Sequence, residues 1–473
     1  MNSTPVQAPP QPQAGPAFST LPLSPAMLAT LAQLGYDEMT PIQAASLPIT
    51  LAGQDLVAQA KTGSGKTAAF ALALLNRLDP RRFDVQAMVL CPTRELADQV
   101  TQEIRRLARA EENIKVLALC GGSPMRPQVD SLIHGAHIVV GTPGRILDHI
   151  DRGSLDLAAI NTLVLDEADR MLDMGFFDDI AYVASRCPKE RQTLLFSATY
   201  PEGIDKLAHK FLRKPQSLKL EATHDNATIR QRFYEVEEGE RLGAVGRLLD
   251  HFRPASTLAF CNTKARCREL VELLRAQGYQ ALALHGDLEQ RDRDQVLVQF
   301  ANRSCSVLVA TDVAARGLDI AQLEAVINVE ITPDPEVHVH RIGRTGRADQ
   351  EGWAFSLVSM DEMGRVGNLE QHHGGEFEWH SLAELTPASS ERLLPPMVTL
   401  QMLGGRKEKI RPGDILGALT GEAGFTKEQI GKINVLDMST YIAVERSIGR
   451  EAVKRLNAGK VKGKKVKVRL MTE

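Results

Sequence analysis

The chain has 473 residues, 43% of them hydrophobic and 24% charged, with 36 Gly, 24 Pro, 6 Cys and a net charge of −3. This is ordinary globular composition, long enough for two or three domains at roughly 100 to 200 residues each. The N-terminus has no basic segment leading into an apolar one, nowhere do about 18 apolar residues run on, and Cys91, Cys120, Cys187, Cys261, Cys267 and Cys305 form no CxxC pair. Secretion, membrane spanning and a zinc site are set aside, and a reduced, cytoplasmic protein is expected.

Residues 1–17 hold five prolines and no charge, too little apolar surface to offset chain entropy, and read as a disordered leader. From Phe18 the chain alternates apolar runs with amphipathic stretches. DLVAQA, AMVLCPT, KVLALC, HIVVGT, TLVLDEA and TLLFSAT are apolar on both faces, as strands buried in a parallel sheet are. KTAAFALALLNRL and ELADQVTQEIRRLARA repeat apolar residues every three or four positions and predict crossover helices. The result is a βαβ domain over 18–215.

In open α/β sheets ligands bind beyond the carboxyl ends of the strands. After DLVAQ comes AKTGSGKT: Ala60, Lys61, Thr62, Gly63, Ser64, Gly65, Lys66 and Thr67. This matches the phosphate loop GxxxxGK[ST] except at Ala60. Glycines let backbone N–H groups turn onto phosphate oxygens, Lys66 reaches the β and γ phosphates, and Thr67 can ligand Mg²⁺. The run TLVL delivers Asp166 and Glu167 to the same sheet edge. Asp166 suits a Mg²⁺ shell and Glu167 a base that positions water. Two acids capping the next helix are the alternative, which weakens beside a phosphate loop. The combination specifies a Mg²⁺-dependent NTPase.

Periodicity pauses between about Leu212 and Arg232. A second βα series then runs over 226–381, with TLAFCNT, ALALHG, SVLVATD and AVINVEI as strands and KARCRELVELLRAQG as a helix. It has no phosphate loop. Instead HRIGRTGR puts Arg341, Arg344 and Arg347 at three-residue spacing, on one side of a helical turn. They read either as ion-paired surface cations or as arginine fingers that neutralise a γ phosphate.

HSLAELTPASSERLLPPM contains a linker, 382–396, and a last domain spans 397–473. That domain carries 16 Lys and Arg against 8 Asp and Glu, while the remainder is acidic. Its elements VTLQML, PGDILGALTG, KINVLD, STYIAVERS, REAVKRLNAG and KKVKVRL run β-α-β-β-α-β, an RNA-recognition-motif order. The surplus reads as a solvated face or as a polyanion site, and its confinement to one segment favours the latter. Arg406, Lys407 and Lys409 lie near its start and Lys460, Lys462, Lys464 and Lys465 near its end. Phe425 and Tyr441 are its only aromatics, which leaves little for base stacking.

With these residues in place, VLDEADRMLDMGF resembles the signature of DEAD-box RNA helicases. The resemblance runs in order from Phe18 to Arg347 and implies two RecA-like parallel-sheet domains followed by a small α+β domain. GYDEMTPIQ resembles the Q motif, which implies adenine recognition by Gln43 with stacking by Phe18, and hence ATP. The resemblance further implies catalytic roles for Lys66, Asp166, Glu167, Arg344 and Arg347, a ribose contact at Asp319, and coupling through Ser197 and Thr199. It assigns RNA contacts to Thr93, Arg94, Gly121, Gly122, Thr142, Gly144, Arg145, Thr263, Gly286, Asp287, Arg293 and Thr311. Hydroxyls, glycine amides and arginines grip phosphates and 2′-hydroxyls without reading bases.

GGRKEKIRPGDILGALTG and NAGKVKGKKVKVRL resemble the C-terminal domain of the DbpA branch of that family. This implies a bacterial enzyme anchored on a 23S rRNA hairpin and acting in large-subunit assembly, as a monomer, with no membrane and no obligate protein partner. An ATP-independent annealing factor and a DNA-directed motor are the competing readings.

Overall fold

The computed structural model describes residues 15–60, 63–199, 202–220, 229–315, 323–346 and 351–471. The leader therefore lies almost wholly outside the described residues. In the first domain the six apolar runs form β1 Leu56–Gln59, β2 Ala87–Leu90, β3 Val116–Leu119, β4 Ile138–Gly141, β5 Thr162–Leu165 and β6 Gln192–Ser197. A further strand, β7 Gln216–Lys219, joins them in the order β3-β4-β2-β5-β6-β1-β7, all parallel. Every residue of β2, β4, β5 and β6 is buried, as parallel strands covered by helices on both faces must be. Phe70, Leu72, Ile104 and Phe196 belong to one apolar cluster, and Leu90, Leu163, Ile180 and Leu195 to another.

Helix starts are fixed by hydroxyl caps at strand ends. The amide of Leu96 donates to Thr93 Oγ1 at 3.3 Å, which opens helix Arg94–Leu107. Thr40 and Gln43 form a capping box with Pro41 at the first helical position of Pro41–Leu51.

The second sheet contains β8 Ile229–Glu235, β9 Thr257–Phe260, β10 Ala281–Leu284, β11 Val307–Ala310, β12 Ala325–Asn328, β13 Gly352–Val358 and β14 Trp379–His380. Its order, β10-β11-β9-β12-β13-β8-β14, repeats the first with each strand in the corresponding place. The stretch between the two series, read as a pause, contains the polar edge strand β7 and leads into β8. Thr263 caps helix Lys264–Ala276 as Thr93 caps its counterpart, accepting from Arg266 N at 3.2 Å.

The C-terminal sheet, β15 Met397–Leu403, β16 Ile430–Val435, β17 Ser439–Glu445 and β18 Lys467–Met471, is antiparallel in the order β16-β17-β15-β18. Two helical segments beginning at Pro412 and Gly449 cover the face lined by Val398, Leu400, Met402, Ile442 and Val444. The alternation of lysines and valines near the end is strand only from Lys467. Before it, Val461 and Lys464 close a tight turn through Lys462 and Gly463, both at positive φ.

Residues 382–396 are a strap packed on the second domain. Leu393 enters that domain's core, Ala388 N donates to Asp250 O at 3.0 Å, and Arg253 Nη1 donates to Glu391 O at 2.8 Å.

Candidate functional site

The carboxyl ends of β1, β5 and β6 converge on one edge of the first sheet. Gly63 and Gly65 take φ of +80° and +93°, a region open to glycine, and Gly65 caps helix Lys66–Asn76. A Cβ at Gly65 would lie 2.6 Å from Gln43 Nε2 and 2.9 Å from Thr40 Oγ1, so the loop and the Q-motif residues are interlocked. Thr40 Oγ1 donates to Ser64 O at 2.7 Å and Gln43 Nε2 to Gly65 O at 3.1 Å. These bonds tie the loop carbonyls back and leave its amides for an anion. Gln43 Oε1 accepts from Thr40 N at 2.9 Å. Each end of its amide thus spends one of two hydrogen-bonding capacities, leaving one donor and one acceptor. Phe18 is packed in the core, edge-on to Tyr36 at 6.1 Å, which leaves little ring face for a base in this conformation.

Lys66 is buried, and its Nζ donates to Ala60 O at 2.9 Å. Asp166 is buried beside it. Burial pushes its carboxyl up to about 6, against the opposing pull of Lys66 and helped by the neighbouring Glu167. Glu167 stands at φ +51°, a strained setting for a residue with a side chain. Its buried Oε2 makes no hydrogen bond, although Arg170 Nε lies 3.4 Å away.

Asp169 and Arg170, which the sequence does not single out individually, complete the arrangement. Asp169 Oδ2 accepts from Ala198 N at 3.1 Å, Thr199 N at 2.9 Å and Thr199 Oγ1 at 3.0 Å. Burial works against the charged form, but the Thr199 bonds and nearby Lys66 hold this carboxyl below the usual range. The acid-bearing turn after β5 is thereby clamped to the end of β6. Ser197 Oγ donates to Thr199 O at 2.6 Å, and Gln59 Nε2 to Ala198 O at 3.3 Å, drawing β1 into the same junction. The signal for Asp169 was its place inside the DEAD signature itself. Lys61, Thr62, Asp319 and Arg347 lie outside the described residues.

The remaining core residues fall at equivalent strand ends of the two domains. Thr93 and Thr263 follow β2 and β9, Gly121 and Gly286 follow β3 and β10, and Thr142 and Thr311 follow β4 and β11. A Cβ on Gly121 or Gly144 would meet nothing within 4 Å, and one on Gly286 would meet only Lys264 Cε at 3.8 Å. Packing within the fold leaves room for a side chain at each of these three positions. Gly122 takes φ +72° and does need to be glycine. Arg94 and Arg145 are drawn toward Asp98 and Asp148 at 3.8 and 3.4 Å, Asp287 is held by Lys264 and Arg268 at 2.5 and 2.7 Å, and Arg293 Nη2 donates to Ala314 O at 2.7 Å.

Arg341 and Arg344 of HRIGRTGR do not share one helical side. Helix Pro335–Ile342 ends before Arg344, which sits buried in the following turn. Arg341 is structural: Nε and Nη2 pair with both oxygens of Asp312 at 2.7 Å, and Nη1 donates to Glu330 O at 2.8 Å.

In the C-terminal domain the two basic segments meet. Lys462 Nζ donates to Lys409 O at 2.5 Å, beside exposed Arg406, Lys407, Lys460, Lys464 and Lys465. The middle of the sheet's open face, by contrast, is covered. Thr399 Oγ1 meets Asn302 Nδ2 at 3.2 Å and Ser304 Oγ at 2.6 Å, and Asn434 Nδ2 donates to Asn302 Oδ1 at 3.1 Å. Thr399, Gln401, Tyr441 and Ala443 are all buried.

A RecA-like fold with a phosphate loop and an acid-bearing turn clamped to the end of β6 defines a nucleotide-hydrolysing helicase core. Family models match in sequence: DEAD/DEAH box helicase over residues 40–207, helicase conserved C-terminal domain over 240–349, and DbpA RNA binding domain over 399–470. The chain is 52% identical over 458 residues to the ATP-dependent RNA helicase DbpA of Escherichia coli K12, covering 96% of this chain and 99% of that one. It is 46% identical to the RNA helicase CshA of Listeria monocytogenes, over 75% of this chain and 68% of the relative. Among solved structures it resembles Saccharomyces cerevisiae Dbp5 bound to RNA and ADP BeF3, with a TM-score of 0.71 and 30% identity over 77% of this chain and 96% of that one. The chain belongs to the DEAD-box ATP-dependent RNA helicases, in the DbpA branch.

Proposed function

We propose that this RNA helicase is anchored by its C-terminal domain on a hairpin of 23S rRNA and remodels nearby structure during large-subunit assembly. One observation carries the anchor: the basic segments 406–409 and 460–465 join into a single surface, while the middle of the sheet face an RNA-recognition motif would offer to bases is buried. An anchor of this kind holds phosphates from loops instead of stacking bases on strands. The reading includes a cytoplasmic monomer without an obligate protein partner. Among the described residues no helix is long and apolar enough to cross a membrane.

ATP lies with its phosphates on the loop amides, and Lys66 exchanges the Ala60 carbonyl for phosphate oxygens. The unspent donor and acceptor of Gln43 match N7 and the 6-amino group of adenine. Mg²⁺ fits this edge, because Asp166 is a buried carboxyl that burial raises to about 6, so a cation there would stabilise its charged form, and Glu167 Oε2 lacks a hydrogen bond. Thr67 and Asp166 would hold the ion, whose chemistry is to neutralise charge on the phosphates. Glu167 orients the attacking water and accepts its proton. Arg344 and Arg347 neutralise the γ phosphate, and Asp319 contacts the ribose. Movement at the acid-bearing turn reaches β6 through the Asp169 clamp on Thr199, which is the route by which hydrolysis and RNA grip communicate.

The test is the steady-state ATPase rate with no RNA, bulk rRNA, a 23S fragment holding the hairpin, an unrelated structured RNA, and DNA. Strong stimulation by the 23S fragment alone is expected. Equal stimulation by every RNA would keep the helicase and remove the anchor, and equal stimulation by DNA would make it a motor without RNA preference.

A further inference from the structure

Between the second helicase domain and the C-terminal domain lies a groove of about 500 Å³ whose lining includes Arg291, Gln401, Leu403, Asn457, Lys467 and Arg469. Three of these are cations and none is an acid. Arg291 opens the exposed end of helix Gln290–Ala301, and neither it nor Lys467 enters an ion pair among the described residues. Arg469 Nε donates to Gln401 Oε1 at 2.7 Å, and Gln401 is itself held by the Tyr441 hydroxyl at 3.2 Å. The guanidinium is thus positioned while spending one of its five N–H donors. Leu403 is 58% exposed beside these charges, an apolar surface next to an anion site.

The groove is preformed. Asn302, Ser304, Thr399 and Asn434 lock the sheet of the C-terminal domain against the second domain, and Arg446 Nε donates to Pro395 O at 2.7 Å, tying β17's end to the strap. Asn457 fastens β18 from below, accepting from Val468 N at 2.9 Å and donating to Val468 O at 2.8 Å. Cations held at fixed separation bind a repeating anion without the ordering cost that flexible surface lysines incur.

Its position says which polyanion. Helix Gln290–Ala301 also carries Arg293 and follows Gly286, both on the RNA edge of the second sheet, while β18 follows the basic turn 460–465 of the anchor. The groove's lining thus comes from a helix that carries a proposed RNA contact, Arg293, and from a strand that leaves the basic turn of the proposed anchor. A volume of this size suits one strand and not a duplex.

We propose that this groove binds the sugar-phosphate backbone of single-stranded RNA, the stretch that leaves the anchored hairpin toward the helicase core. Phosphates engage Arg291, Lys467 and Arg469, and a ribose or base edge rests on Leu403. The inference rests on the anchored-helicase reading above. It makes the C-terminal domain a guide that sets which strand, and at what distance from the hairpin, reaches the second sheet.

The experiment uses the full chain and a fluorescein-labelled 23S stem-loop, either blunt or with a short single-stranded extension at its 5′ or 3′ end, followed by anisotropy over a range of salt. Wild type is expected to bind one extended form about tenfold more tightly than the blunt form. Arg291→Glu with Lys467→Glu should abolish that gain and lower the salt slope for the extended RNA by about 1 to 2, since each lost phosphate contact removes roughly 0.7 to 1. Blunt stem-loop affinity should stay within about twofold, and Arg291→Lys with Lys467→Arg should retain the gain. A gain that survives charge reversal, equal loss for blunt and extended RNA, or no gain in wild type would overturn the groove while leaving the anchor standing. Failure of wild type to bind the blunt stem-loop would overturn the anchor and the groove together.

Discussion

The two parallel sheets have the same strand order, yet their crevices hold opposite chemistry. In the first, the helix after β1 begins with Lys66, whose ammonium has one acceptor among the described residues, and Glu167 Oε2 is without a hydrogen bond. In the second, the helix after β8 begins with Arg241 at the corresponding place. Its buried guanidinium donates to Glu238 at 2.7 Å, Val329 O at 2.8 Å, Leu357 O at 3.1 Å and Glu362 at 2.8 Å. The space that phosphates would occupy is filled by a protein cation whose partners are already present. The strand ends create a crevice in both cases, but only unspent donors and acceptors make it a ligand site. On the other side of each sheet the situation reverses, because Thr93 and Thr263, Gly121 and Gly286, and Thr142 and Thr311 repeat the same residue types at matching strand ends.

The largest effect should come from Glu167→Gln in the open crevice. ATP turnover is expected to fall by at least about a thousandfold, roughly 4 kcal/mol of transition-state stabilisation, with RNA binding retained. Turnover within about tenfold of wild type would break the assignment of the first crevice.

The filled crevice predicts a loss of stability instead. Arg241→Ala leaves Glu362 buried without its guanidinium, and should destabilise the second domain by about 3–5 kcal/mol in a denaturation experiment. Replacing Arg241 by Met together with Glu362 by Leu should recover most of that loss. Nucleotide affinity of the first domain should not change in either variant.

Asp166 sharpens the contrast through pH. Its folded carboxyl titrates near 6, above the ordinary carboxylate range, so its contribution to stability is complete at acidic pH and lost as pH rises through about 6. Asp166→Asn, which keeps the acceptor for Glu167 N, should therefore be more stable than wild type at pH 7 to 8, by about 1–3 kcal/mol. The difference should shrink below about pH 5. Asp169 has the opposite sign: its lowered carboxyl contributes above the ordinary range and loses that contribution as pH falls. Wild type losing ground to Asp166→Asn as the medium is acidified would contradict a raised Asp166 carboxyl in an open first crevice.

Much of this was readable in the sequence where a single segment carries the whole signal. Ten apolar runs bounded by turn residues became ten parallel strands, buried except at the half-covered edge strands β3 and β10, and the C-terminal β-α-β-β-α-β order emerged as read. The missed strands were the short polar edge strand β7, the two-residue β14, the mostly polar and half-exposed β8, and β13, an apolar run that was not singled out. Contacts between segments were the other gap. No spacing reveals that Asp169 clamps Thr199, that Thr40 and Gln43 hold the loop carbonyls, or that Asn302 covers Thr399, because each partner pair is joined only by the fold. HRIGRTGR shows the converse: regular spacing suggested one shared side, but the helix ends at Ile342, and Arg341 is consumed by Asp312.

The smallest effects test the repeated edge. Gly144 lies in the first turn of helix Pro143–Asp151 with open space where a Cβ would stand. Gly144→Ala should therefore raise stability, by up to about 1 kcal/mol, because alanine is the better helix former. If a phosphate chain approaches that backbone, the same methyl should weaken RNA binding, raising the RNA concentration for half-maximal ATPase by about tenfold. Gly286→Ala makes the matching test on the second sheet, where only Lys264 Cε at 3.8 Å would feel the methyl. Stability and RNA affinity moving in opposite directions separates a binding glycine from a folding one. If both variants keep wild-type RNA dependence, the symmetry of the two edges belongs to the fold and not to RNA recognition. If only one loses it, the two domains share strand order but grip the strand unequally.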